Sequence, residues 1–184
     1  MSTSITIISG TNRRNSNSRR VANHLAHLYN KLGVPAKILD LADIPSSSFN
    51  PDCYNEIPRE AQPFCDLIME AAGLVVCVPE YNGSFPGALK WFVDLLPFPQ
   101  AFEGRPVAFV GIAAGEWGGL RPVEQLQQVF GYRNAAQFPK RVFIREVEDK
   151  LDGNGGFKNE DIANRVAEQA KGFVEFIRQF EAKS

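Results

Sequence analysis

The chain has 184 residues, 44% of them hydrophobic, with 20 basic and 21 acidic side chains and a formal net charge of −1. This is the composition of one globular domain over 1–184 with material for an apolar core; it lacks the charge excess that nucleic acid or an anionic membrane surface attracts, so neither is an expected partner. No run approaches ~20 apolar residues, Met1 to Ser9 shows neither a basic leader nor a small-residue cleavage site, and Cys53, Cys65 and Cys77 lack C-x-x-C spacing, so the expectation is a cytoplasmic chain whose reduced thiols serve packing.

Ile5-Thr6-Ile7-Ile8, closed by Ser9-Gly10, reads as a first strand buried on both faces. From Ser18 the apolar positions Val21, Ala22, Leu25, Leu28, Tyr29 and Leu32 recur at helical spacing, with Gly33 placed for a left-handed C-terminal cap. Ala36 to Leu41 is a second strand, and Arg59 to Ala72 a second helix in which Pro63 must fall in the first turn. Leu74-Val75-Val76-Cys77-Val78 is the clearest buried strand, followed by a loop and a helix from about Gly87 to Leu96 that Pro97 ends. Pro106 to Ala114 gives strand four, Arg121 to Phe130 helix four with Pro122 at its first position, and Arg141 to Val147 strand five. The last helix, Asn159 to Ala182, carries Ile162, Val166, Ala170, Phe173, Val174, Ile177 and Phe180 on one face.

Five strands alternating with helices predict an α/β, doubly wound, five-stranded parallel sheet with helices on both faces, since each parallel neighbour needs a crossover; right-handed crossovers favour the order 2-1-3-4-5. Ligands of such sheets collect beyond the carboxyl ends of the strands, at the switch point between strands one and three. The loops after Ile8, Val78 and Ala114 are therefore the candidates for function.

The first loop, Ser9 to Ser18, contains Gly10, Thr11, Arg13, Ser16, Asn17 and Ser18 and leads straight into a helix. Hydroxyls, amides and arginines at a helix N-terminus form an anion cradle suited to a terminal monophosphate. The plain alternative is a polar turn with Ser16 or Ser18 as an ordinary N-cap, which can coexist with phosphate binding. The loop matches neither G-x-G-x-x-G nor G-x-x-x-x-G-K-[ST], which argues against a dinucleotide pyrophosphate or a triphosphate at this position.

The second loop, Pro79-Glu80-Tyr81-Asn82-Gly83-Ser84-Phe85-Pro86-Gly87, alternates stiff and permissive residues, so backbone N–H and C=O groups can be presented to a flat polar heterocycle. Tyr81 suits a ring face and the Asn82 amide offers donor and acceptor. A wide strand-to-helix turn is the alternative. In the third loop, Gly115-Glu116-Trp117-Gly118-Gly119, the glycines imply close backbone approach, and Trp117 either flanks a ring or packs on its own domain.

With these loops in view, the sequence resembles the NADPH-dependent FMN reductase family, flavodoxin-like quinone, azo-dye and chromate reductases, from strand one to about Ile144. The most specific piece is Pro79 to Lys90, which follows the family's P-E-Y-N-x-S-x-P-G-x-L-K without a gap; the first loop is similar to its G-S-x-R-x-x-S-x-N-x-x-L-A. The resemblance implies a flavodoxin-like fold with bound FMN. Thr11, Arg13, Ser16 and Ser18 would lie on the phosphate side, Tyr81, Asn82 and Gly83 at the isoalloxazine edge, and Gly115 to Gly119 on its other flank. It implies ping-pong electron transfer from NAD(P)H to a small-molecule acceptor such as a quinone, and a homodimer or homotetramer in which Phe92, Leu95 and Leu96 are either interface or core. The alternative is a flavodoxin-type carrier, which steers protein partners with a one-signed surface that this near-neutral chain lacks. Trp91 departs from the family's usual Asn, and Glu116-Trp117 is an unusual pair.

Smaller patterns read as structural. His24 and His27 stand three apart without a Cys, Asp or Glu to complete a ligand set. Lys90 and Asp94 suit an i,i+4 ion pair, Asp152 to Gly156 a turn before the last helix, and Glu80 a structural or backbone role, since hydride transfer needs no general base.

Overall fold

In the computed structural model, which describes residues 3–153 and 156–181, β1 (Ile5–Ser9) is buried along its length and lies between two parallel neighbours. These are β2 (Ala36–Asp40) and β3 (Gly73–Pro79); β3 in turn pairs with β4 (Pro106–Ile112), giving the doubly wound order 2-1-3-4 with the fifth position beside β4. β1, β3 and β4 carry no exposed residue, as expected of strands covered on both faces. Their side chains alternate between two apolar layers. Ile8, Val76, Val78 and Phe109 pack against α2 (Gln62–Met69), α3 (Gly87–Leu95) and α4 (Leu120–Tyr132) through residues such as Ile68, Phe92 and Leu126. Ile7, Val75, Cys77 and Val110 pack against α1 (Asn17–Lys31) and α6 (Glu160–Glu181) through Leu25, Tyr29, Val166 and Phe173.

Phe92, Leu95 and Leu96 belong to the first layer, at 0%, 5% and 3% exposure, so of their two readings the core is the one observed. The three cysteines are buried free thiols. Gly33, with φ +75°, follows the last turn of α1. Helix two is shorter than its periodicity predicts, Gln62–Met69 against 59–72, and Pro63 does stand in its first turn. Pro122 is the third residue of α4, not the first, because Leu120 and Arg121 already continue the helix from Gly119.

The fifth strand departs most from expectation. Its position is shared by β5 (Ala136–Gln137), which pairs with Pro106 and Val107, and β6 (Val142–Ile144), which pairs with Val110 to Ile112. Pro139 lies between them and has no N–H to offer a ladder. In the gap the buried Gln169 side chain donates from α6 to the carbonyls of Phe109 (2.9 Å) and Lys140 (2.8 Å), replacing the missing strand. β6 stops before Arg145 because Glu146 turns left-handed (φ +50°) and Val147 opens a short helix, α5 (Val147–Lys150). No helix among the described residues is long and apolar enough to cross a membrane. Of the expected turn 152–156, Asn154 and Gly155 lie outside the described residues, as does Ala182 of the last helix.

Candidate functional site

The chain leaves β1 at Gly10, whose N–H donates to the Cys77 carbonyl of β3 (3.0 Å); a Cβ there would lie 2.5 Å from that same oxygen. The backbone must pass this close because loops one and two leave neighbouring strands. Thr11 follows, 1% exposed, and its hydroxyl shares a 2.7 Å hydrogen bond with the Tyr81 hydroxyl while accepting from the Arg13 N–H. One bond thus ties the two loops together. Ser16 caps α1, its hydroxyl accepting from the Arg19 N–H at 3.2 Å. The plain N-cap reading is therefore realised, and it leaves the first-turn amides of Asn17 and Ser18 without an intrahelical acceptor, as every helix start does.

The second loop is a tight turn. Tyr81 and Ser84 exchange backbone hydrogen bonds of 2.8 and 3.0 Å, and the two residues between them, Asn82 and Gly83, have φ of +53° and +77°, the pair of positive values a type I′ turn requires. Gln125 of α4 secures it, donating to the Gly83 carbonyl (3.3 Å) and accepting from the Ser84 hydroxyl (2.5 Å). The N–H groups of Glu80 and Tyr81 are taken up by the Ile112 and Ser84 carbonyls. That leaves the N–H groups of Asn82 and Gly83 at the turn's tip. The Glu80 carboxylate stands 3.5 Å from Arg121, so its observed role is an ion pair between loop two and α4.

Loops one and two and the end of β4 enclose one cleft of about 430 Å³. It brings together Thr11, Arg13, Ser16, Asn17, Ser18, Pro79, Glu80 and Tyr81 from the predicted set. Gly10 lies behind it, and Asn82 and Gly83 at its rim turn are not among the residues lining it. Sequence reasoning missed Arg20, one turn into α1, whose guanidinium donates to Asn17 Oδ1 (3.0 Å) and the Asp152 carbonyl (2.7 Å), and Ala113, Ala114 and Val147, which form the far wall. The i,i+3 spacing of Arg20 from Asn17 was the available signal. Arg13 and Arg14 are exposed and have no carboxylate partner among the described residues, while Glu148 adds one acidic group opposite.

Three guanidinia, three hydroxyls and a helix N-terminus suit a phosphomonoester, and the volume suits a nucleotide-sized ligand. The residues present therefore fit FMN. The glycines of the third loop have a different explanation. Gly119 (φ +83°) packs its backbone onto β4, where a Cβ would lie 2.6 Å from the Ile112 nitrogen, and Gly111 is equally tight against the Gly118 carbonyl (2.7 Å). Close approach is present, but to strands of this chain. Gly115 and Gly119 do not line the cleft, and Trp117 and Gly118 line a neighbouring cavity of about 350 Å³. Trp117 is 55% exposed, with the Arg121 guanidinium 5.6 Å from its ring centre.

Two of the smaller patterns have structural partners. His24 packs edge-on to Phe157 (4.9 Å), and burial lowers its pKa. No group of three metal-ligating side chains occurs among the described residues. Lys90 and Asp94 form their ion pair at 2.7 Å.

The chain is similar to known oxidoreductases. A "2-hydroxy-1,4-benzoquinone reductase" from Burkholderia sp. is 28% identical over 165 residues, covering 88% of each chain. A "quinone reductase" from Pseudomonas putida is 33% identical over 158 residues, covering 83% of each. Among solved structures, FerB, a flavoenzyme NAD(P)H:(acceptor) oxidoreductase from Paracoccus denitrificans, superposes with a TM-score of 0.78 at 21% identity over 98% of this chain and 99% of its own. The family model for NADPH-dependent FMN reductase matches residues 3–149, and the chain belongs to that family of oxidoreductases.

Proposed function

We propose that the cleft holds FMN and that the protein reduces quinone-like small acceptors with NAD(P)H. The observation that carries this reading is the joining of a cationic and hydroxyl cradle, in which Arg13 and Arg14 have no carboxylate partner among the described residues, to the turn that follows β3, in one cleft of about 430 Å³, through the Thr11–Tyr81 hydrogen bond. In it, Thr11, Arg13, Ser16, Asn17 and Ser18 receive the phosphate, with Arg14 and Arg20 adding charge, while Gly10 lets the loop pass close to β3 behind them. Pro79, Glu80, Tyr81, Asn82 and Gly83 hold the ring edge, and Ala113, Ala114 and Val147 close its far side, while Trp117 and Gly118 of the third loop line the neighbouring cavity instead. FMN held there would supply the two-electron chemistry that links nicotinamide to acceptor.

The protein's own contribution is position and electrostatics. The Asn82 and Gly83 amides are fixed in direction by the turn and by Gln125, so they can meet a heterocycle without an ordering cost. The Glu80–Arg121 pair braces that turn against α4 and keeps the Glu80 carboxylate occupied. Hydride transfer at this site needs no general base.

The cytoplasm is the proposed compartment, on the strength of three buried free thiols. A homodimer or homotetramer is the proposed assembly, supported by Phe98 (64% exposed) and Tyr132 (80%) flanking a groove between α3 and α4. The test is direct: the purified protein should be yellow, acid treatment should release FMN, and NAD(P)H should drive quinone reduction. Release of FAD alone, or a colourless protein that does not take up FMN, overturns the reading.

A further inference from the structure

Gly118 (φ +60°) runs so close to the strand beside it that a Cβ would stand 3.0 Å from the Arg145 nitrogen and 3.1 Å from Phe143, and Gly119 is pressed onto β4 in the same way. The third loop is thus wedged between β4 and the end of β6, which fixes Trp117 and Arg145 near one another. β6 stops at Ile144 and Glu146 turns left-handed (φ +50°), a conformation disfavoured for a residue with a Cβ, so Arg145 leaves the ladder and is exposed. Trp117 and Arg145, with the end of α5 and the start of α6, enclose the cavity of about 350 Å³, at the small end of the range for ligand cavities (~300–1,000 Å³).

Its lining combines apolar groups, Trp117, Phe143 and Ile162, with the cations Arg145, Lys150 and Arg165. Arg165 meets Asp161 only at 4.0 Å and Lys150 meets Glu146 at 3.4 Å, while Arg145 has no carboxylate partner among the described residues. Glu116 and Asp161 are the carboxylates of the lining, so three cations against two carboxylates leave one positive charge. That balance suits a monoanion and disfavours a phosphate dianion, which both carboxylates would repel. A planar guanidinium receives a carboxylate through two parallel hydrogen bonds, and an indole face receives a flat ring. No residue lines both this cavity and the cleft of about 430 Å³. We propose that the cavity is a second binding site, separate from the cleft, for a small aromatic carboxylate, with its ring against Trp117 and its carboxylate on Arg145. The proposal does not depend on what fills the cleft.

The test titrates 2-naphthoate and its neutral carboxamide by calorimetry into the full-length protein as purified. The expected result is one site at which 2-naphthoate binds at least ~5-fold more tightly than the amide, with the absorbance of any bound flavin unchanged. Trp117→Ala and Arg145→Ala should each weaken 2-naphthoate by ~5- to 10-fold, and Arg145→Lys, which keeps the charge but loses the fork, should recover part of the loss. Both side chains are exposed, so these variants fold, and an unchanged Tm verifies it. No binding of 2-naphthoate at ~5 mM, equal binding of acid and amide, or binding that survives both substitutions overturns the proposal. In the last case a shifted flavin spectrum places the probe in the cleft instead.

Discussion

Ser16→Asp separates the two roles that Ser16 combines. The hydroxyl is the N-cap of α1, and aspartate caps as well as serine and adds a favourable charge at a helix N-terminus, so stability should change by less than ~0.5 kcal/mol. Toward a phosphate in the cleft the same change is costly. It removes one hydroxyl donor, ~1 kcal/mol, and sets a carboxylate against a phosphate dianion. Unit charges ~6 Å apart repel by ~0.7 kcal/mol in water and ~2.8 kcal/mol at an effective dielectric constant of ~20, and a cleft open to solvent falls between these limits. The sum, ~2–3 kcal/mol, weakens FMN binding by ~30- to 150-fold. Ser16→Ala should do the reverse, lowering stability by ~1 kcal/mol through loss of the cap and weakening FMN far less. Fluorescence titration of apoprotein with FMN, paired with urea unfolding, reads both. A change in affinity under threefold for folded Ser16→Asp would remove the phosphate from this loop.

Gly119→Ala combines a left-handed φ with a Cβ 2.6 Å from backbone, and should cost more than ~2 kcal/mol in urea unfolding; a neutral result would mean that the third loop is not held on β4 as described. Arg133, 8% exposed, donates to the carbonyls of Val93, Leu96 and Pro97 at the C-terminal end of α3, so Arg133→Met should lower stability by ~2–3 kcal/mol, read as a drop in Tm of several degrees. Burial lowers the pKa of His24, so the unfolded chain takes up the proton first as pH falls; stability should decline below about pH 6.5, and His24→Gln should flatten that slope. Burial pushes the Cys65 thiol up to about 11 and that of Cys77 further, so a thiol reagent at pH 8 should label neither residue in the folded protein and both after denaturation.

Much of this was legible because the physics is local. β-branched runs closed by Gly or Pro mark strands buried on both faces, and β1, β3 and β4 appear where Ile5–Ile8, Leu74–Val78 and Pro106–Ala114 predict them. The 3.6-residue period of α1 and α6 is equally plain. Ala136–Gln137 has no such signature: it is a strand only because β4 is there to pair with it, and Pro139 then divides the fifth position in a way that only the Gln169 bridge makes tolerable. In the third loop the glycines correctly signal close approach, but sequence does not say to what; Gly118 and Gly119 approach β4, and Trp117 consequently faces a different cavity from the one expected. Arg20 was missed because a charged residue one turn inside a helix usually faces solvent, whereas here the 152 carbonyl draws it to the cleft.

The central claim is that this chain takes electrons from a nicotinamide onto its own flavin. Anaerobic stopped-flow mixing of the FMN-loaded protein with NADPH or NADH, in the absence of any acceptor, tests it most directly. The account predicts bleaching of the flavin absorbance within seconds and return of the colour when a quinone is added. Persistent yellow colour with both nicotinamides, in protein shown to contain FMN, would contradict it and leave an electron carrier in its place.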